Sequence, residues 1–239
     1  MLSLKMSETI IGVITLVIAY FFVVTISGVF RAWVARAMGD DTPEQLGFLS
    51  LNPLHHMDPF GFFFLIVFGF GWGRYVPINP YNIVGKFRTV KLLIAYLSDT
   101  FIHLFMATVL LVALIVIFGP NILRFSIPMM LSGISTHRAM AGAYPDVSSF
   151  SISVALIMNA MIYLNVILSV LNFIISGFGF VLMTFADKFT VFGRYRDVFI
   201  ILIPMFLIFI SIHYLHLPYR VICFITKLGA SIAGAMGVS

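Results

Sequence analysis

The chain alternates between long apolar runs and short polar connections. About 20 mostly apolar residues make a helix long enough for a hydrocarbon core roughly 30 Å thick, and the run at 10–30 meets that length. Residues 31–38 are amphipathic enough to carry the helix to the interface, where Asp40, Asp41, Thr42 and Pro43 end it. A polar, Pro- and Gly-rich stretch follows at 47–59, then an aromatic run at 60–72. That run is too short for a comfortable span and reads as a re-entrant or interfacial element.

The next long run, 92–118, is interrupted by Ser98, Asp99 and His103. Residues 121–146, with Pro120, Pro128 and Pro145 in or beside them, read as surface chain or a partial dip into the membrane. The apolar stretch 147–185 exceeds one span. Ser176, Gly177 and Gly179 sit where it could break, so one broken helix and a tight hairpin both fit. A last span is predicted at 198–217, stopped by Pro218, with a weak Gly- and Ala-rich tail after it. The organisation expected is a single membrane domain: a first core helix at 9–38, a turn and re-entrant region at 39–91, a second span at 92–119, an irregular segment at 120–146, a long or broken helix at 147–185, a last span at 197–217 and a tail at 218–239. The N-terminal run lacks a small-residue cleavage signature and reads as a retained helix.

Composition sharpens this pattern into a class. Of the residues, 61% are hydrophobic and 10% charged, where a soluble domain carries about a quarter charged. The fold class expected is an all-α integral membrane protein, a multi-pass bundle of about four to six membrane helices. Its first partner is the lipid bilayer. Although the net charge is +5, the Lys and Arg residues lie between apolar runs rather than in a block, so nucleic acid is not an expected partner.

With four spans, Arg31, Arg36, Arg74, Lys86, Arg88, Lys91, Lys188, Arg194 and Arg196 share one side, against Lys5, Arg124, Arg138, Arg220 and Lys227 on the other. The positive-inside rule makes the first side cytoplasmic or matrix-like. Cys223 is the only cysteine, so no internal disulfide forms, and it reads as a packing residue. The many Phe and Met residues read as packing or lipid-facing material. The sequence contains no G-x-S-x-G, phosphate loop, c-haem or iron–sulfur spacing.

Three stretches carry a resemblance: Gly39-Asp40-Asp41-Thr42; Leu51-Asn52-Pro53-Leu54-His55-His56-Met57-Asp58-Pro59-Phe60-Gly61; and Phe70-Gly71-Trp72-Gly73-Arg74-Tyr75-Val76-Pro77-Ile78-Asn79-Pro80-Tyr81-Asn82. Together they resemble the site-2 protease family, the zinc intramembrane metalloproteases, over about residues 20–85. The resemblance implies a core of three helices around an active site. It also implies extended segments after the first helix that could hold a peptide by strand addition.

In that family H-E-x-x-H ends just before the G-D-D-T turn. Two His at i and i+4 bind zinc on one helix face while the Glu serves as general base. An ungapped count from Gly39 puts Ser27-Gly28-Val29-Phe30-Arg31 at this place, with neither His nor Glu. The third ligand is an Asp in a later D-G motif. Residues 164–173 resemble its lead-in and place Phe180 at the Asp, and no Asp or Glu lies between Asp146 and Asp187. The family's A-G-P-x-x-N stretch is eroded to Tyr96-Leu97-Ser98-Asp99-Thr100-Phe101. Arg31 is permanently cationic and would repel a dication.

Other chemistry is weighed against plainer roles. His55, His56, Asp58, Asp99 and His103 supply ligand types for a relocated zinc site, but Asp58 beside two prolines reads better as a turn residue bonding backbone amides. Asp99 in an apolar span calls for a partner, with Arg31 and His103 the candidates. A helix-end position in water, or a proton or ion path, stays open for it. His213 and His216, just before Pro218, read as interfacial residues at a helix end.

The reading is therefore of a pseudoprotease with no catalytic residues, no metal and no cofactor. Ser27, Gly28, Arg31 and Phe180 stand at the motif-equivalent positions, and Arg31, Asn52, Pro53, His56, Asp58, Gly61, Asp99 and His103 serve as binding or structural residues. The expected role is a structural or assembly subunit in a hetero-complex with other membrane proteins, in a bacterial inner membrane or an organellar inner membrane. The alternatives are a non-cleaving binder of transmembrane clients, a protease with relocated ligands, and a transporter built on Asp99 and His103.

Overall fold

A computed structural model describes residues 2–123, 137–184, 206, 207, 210 and 216–237. In chain order the helices are α1 (Leu2–Met38), α2 (Thr42–Gln45), α3 (Pro53–His56), α4 (Pro59–Phe68), α5 (Arg88–Phe118), α6 (His137–Ala143), α7 (Ser149–Thr184) and α8 (Leu217–Ala235), with a 3-10 turn at Pro120–Ile122. The protein is an all-α, multi-pass membrane protein. Among the described residues three helices are long and apolar enough to cross a bilayer, within α1, α5 and α7. The region expected to hold a further span, 197–217, lies almost wholly outside the described residues.

The helix α7 is the centre of the bundle. Its most apolar stretch is 67% buried, against 33% for α1 and 39% for α5, so α7 meets protein on most of its surface while the other two meet lipid. One core cluster joins α5, α7 and α8 through Leu111, Leu114, Leu156, Ile162, Ile222 and Ile225. A second joins α1, α4 and α7 through Tyr20, Val23, Leu65, Leu164 and Leu168. Small residues at the crossings, Ala19 on α1, Ala107 on α5 and Ala160 on α7, are buried. They let the helices come close, as membrane packing by dispersion requires.

Three expectations change at this level. Residues 149–184 form one continuous helix, so of the alternatives for this stretch the long helix holds and neither a hairpin nor a break occurs at Ser176–Gly179. The stretch expected to be a tail is the helix α8, because its apolar positions Ile222, Ile225, Gly229 and Ala233 fall on one buried face. Pro218 opens that helix: it occupies the first turn, where its missing N–H costs nothing. Finally, 120–146 is not all surface chain, since Ile122 and Met140 are fully buried in the core.

The helix α4 has ten residues, about 15 Å at 1.5 Å per residue, which cannot span a bilayer. Asp58 caps it, accepting a 2.7 Å bond from the Gly61 N–H, and Gly69 ends it in the left-handed conformation. The chain then folds back along α4, and Gly61 and Gly71 make this possible. A Cβ at Gly61 would lie 2.0 Å from the Trp72 carbonyl oxygen, and one at Gly71 2.1 Å from the Gly61 carbonyl oxygen. Backbone atoms cannot swing aside as a side chain can. Gly61→Ala is therefore expected to destabilise the protein by about 1–3 kcal/mol, visible as a lower thermal midpoint in detergent; an unchanged midpoint would mean the two segments do not touch.

Candidate functional site

The polar motifs between α1 and α5 first build a frame. Asp40 is fully buried. Its carboxylate accepts hydrogen bonds from the Thr42 N–H and hydroxyl, the Asn79 N–H and the Asn82 amide, at 2.6 to 3.1 Å. One acid thus ties the turn after α1 to the segment before α5. Asn52 caps α3 by accepting from the Leu54 N–H, with Pro53 as its first residue. The Arg74 N–H donates to the His56 carbonyl at 2.7 Å, beside a single antiparallel bridge between Met57 and Gly73. The Tyr20 hydroxyl donates to the Trp72 carbonyl at 2.9 Å. The 70–79 segment is thereby fixed against α1 and α3.

Behind this frame lies a cavity of about 380 Å³ between α1, α5 and α7. Ser27, Gly28 and Arg31 line it from α1, Asp99 and His103 from α5, and Asn172 and Ser176 from α7. Phe180 does not line it; its ring packs on Tyr96, 6.4 Å between centroids, beside Ala35 and Ile78. The α7 position facing Arg31 is Ser176, one helical turn before Phe180.

Arg31 sits at the heart of the site, 1% exposed. Its Nη1 donates to Asp99 Oδ2 at 2.6 Å and to the Ser176 hydroxyl at 3.2 Å. The guanidinium also stacks over the Tyr75 ring, 5.0 Å to its centroid. A charge so placed is not a loop charge, and Arg31 drops out of the topology count made from the sequence. His103 is buried and bonds the Asn165 side-chain oxygen at 2.7 Å through Nδ1. Because the Asn165 amide nitrogen is spent on the Met161 carbonyl, the oxygen faces His103, and His103 carries its proton on Nδ1. The sequence offered Asn165 only as part of the 164–173 stretch and Ser176 only as a possible helix break, because a lone Asn or Ser on an apolar helix has no pattern to mark its partner.

Gly28 is the second decisive position. A Cβ there would lie 2.2 Å from His56 Nδ1. The His56 ring is held in place: Nε2 donates to the Ser50 carbonyl at 2.7 Å, and the Phe48 ring meets it edge-on. With the proton on Nε2, Nδ1 is the bare nitrogen pointing at Gly28. Burial pushes the His56 pKa below its ordinary value, which keeps the ring neutral.

These residues do not fit a zinc ion. Ser27 spends its hydroxyl on the Val24 carbonyl, Gly28 has no side chain and no room for one, and Arg31 brings a fixed positive charge to the same wall. Nor do His55, His56, Asp58, Asp99 and His103 converge: each of the last four is engaged elsewhere, and among the described residues no three His, Cys, Asp or Glu come together to hold a metal. His213 lies outside the described residues. His216 precedes α8 in a left-handed conformation.

Comparison with known proteins supports the kinship suggested by the motifs. Over 67 residues the chain is 45% identical to the Bacillus subtilis (strain 168) protein described as "Putative zinc metalloprotease YwhC". The match covers 28% of this chain and 29% of that relative, so the chain spans less than a third of the relative's length. No family model matches. No solved structure matches either.

Proposed function

We propose that this chain is a site-2-protease-like membrane protein without proteolytic activity, acting as a structural or assembly subunit of a larger membrane complex. Kinship to zinc metalloproteases is supported by the match to YwhC. The observation that carries the reading is the Arg31–Asp99 ion pair beside Gly28: where the family's chemistry needs a base and two neutral ligands, this chain has a salt bridge and an imidazole pressed against a glycine. A buried pair of this kind holds helices together and activates no water. The exposed apolar side chains of α1 and α5, among them Ile14, Phe22, Phe101 and Phe105, suit lipid and neighbouring helices alike. The membrane is of the bacterial inner or organellar inner type.

A second reading, a non-cleaving holder of transmembrane clients, draws on the cavity between α1, α5 and α7. Native mass spectrometry of the protein released gently from its own membrane, with metal read from the same ions, separates these. A fixed stoichiometric hetero-complex without zinc is the expected result. Exchangeable single-pass clients would replace the subunit role by the second reading. A lone chain carrying one zinc per copy would overturn both in favour of a protease with relocated ligands.

A further inference from the structure

The guanidinium of Arg31 is only half used. Nη1 is taken by Asp99 and Ser176, but Nε and Nη2 are buried and have no hydrogen-bond partner. These two nitrogens carry the parallel N–H pair with which an arginine grips a carboxylate through two bonds. A buried donor left without an acceptor costs stability, the more so when charged, so an unpartnered fork on a residue that lines the cavity calls for an acceptor.

The cavity states what kind. Its charged lining residues are Arg31, Arg74 and Asp99, two cations and one anion, which leaves one positive charge. A single negative charge on the ligand would balance it. Arg74 is exposed, with its guanidinium over the Phe48 ring, a placement suited to drawing an anion inward. Much of the rest of the wall is apolar, with Val24, Trp72, Val76, Leu168, Leu171 and Ile175. At about 380 Å³ the volume falls within the range of small-molecule sites, about 300–1,000 Å³.

We propose that the cavity between α1, α5 and α7 binds a monocarboxylic acid with an apolar stem, the carboxylate gripped by Nε and Nη2 of Arg31 and the stem lying against α7 and Trp72. This site stands whether or not the chain is a subunit of a complex, since it rests on the fork and the cavity alone. The ion pair gains a second role, because Asp99 and Ser176 hold the guanidinium so that its other edge is presented to the ligand.

Trp72 offers a direct readout. The chain has two tryptophans, and Trp33 points outward on α1, 58% exposed, so Trp33→Phe leaves Trp72 as the only reporter. In phosphatidylcholine nanodiscs, ω-bromo-octanoate is expected to quench Trp72 saturably, with half-saturation at least about tenfold below that of its neutral amide, the loss expected when a charge-assisted double bond is removed. Octyl phosphate, a dianion, should compete poorly. Arg31→Gln combined with Asp99→Asn, which leaves no orphaned charge, should bring the acid to the level of the amide. Equal quenching by acid and amide, or quenching that rises without saturation as in bulk lipid, would overturn the site. Competition by octyl phosphate as strong as by the acid would overturn its assignment to a monocarboxylate. The ligand comparison on the parent chain needs no folded variant at Arg31.

Discussion

Asp99→Ala is expected to destabilise the protein by about 3–5 kcal/mol, because it leaves the buried Arg31 charge without its counter-charge. Arg31 is 1% exposed and its strongest partner is the Asp99 carboxylate at 2.6 Å. Removing the acid leaves the guanidinium only the Ser176 hydroxyl and the face of Tyr75. Neither carries a compensating negative charge, and Arg31 cannot shed its proton to escape. Losing both members together should cost far less: replacing both by Met and Leu removes two desolvation penalties along with one attraction, and such swaps are often neutral or stabilising. The measurement is unfolding in mixed micelles of Asp99→Ala and of the double variant Arg31→Met, Asp99→Leu, each against the parent. A cost below about 1 kcal/mol for Asp99→Ala, the level of an exposed pair, would mean that water reaches Arg31 and that the pair does not knit α1 to α5.

The parts of this structure that were legible beforehand are those with a pattern. Long apolar runs announce α1, α5 and α7, because length and polarity alone decide what can lie in lipid. The polar motifs marked the frame, and Asp40 shows why they travel together: one carboxylate binds residues from the first and third stretches, so the turn after α1 and the segment at 79–82 form one unit.

What was not legible follows from the same physics. Pro218 reads as a stop because proline breaks helices, but it equally opens them, and only packing against Leu111 and its neighbours decides. Which α7 residue meets Arg31 is set by how the helices pack, and it is Ser176, one turn before Phe180. His56 was visible as a candidate ligand. That it fills the space over Gly28 is a fact of three-dimensional packing, which no spacing along the chain encodes.

Gly28 therefore supplies the second large effect. Writing the family's motif back into α1, with Ser27→His, Gly28→Glu and Arg31→His, is expected to yield a misfolded protein that binds no zinc and cuts nothing. Any side chain at 28 begins with a Cβ 2.2 Å from the His56 ring, and the ring cannot retreat without giving up the Ser50 bond and the Phe48 contact. Overpacking of this kind costs about 1–3 kcal/mol or more, and the glutamate adds a buried carboxylate with no partner. Arg31→His also strands Asp99, and Asn172 and Ser176 on α7 bring no third anionic ligand. The clash has a signature of its own: His56→Ala should rescue part of the Gly28→Ala loss, so that the pair of changes costs less than the sum of the two alone, a coupling read by thermal unfolding in detergent. Strict additivity would show that the imidazole does not occupy that space. If the rewritten motif instead gave a folded protein with one zinc per chain, the ion pair would be a replaceable ornament on a metal site, and the proposed inactivity would rest on three side chains rather than on the packing built around them.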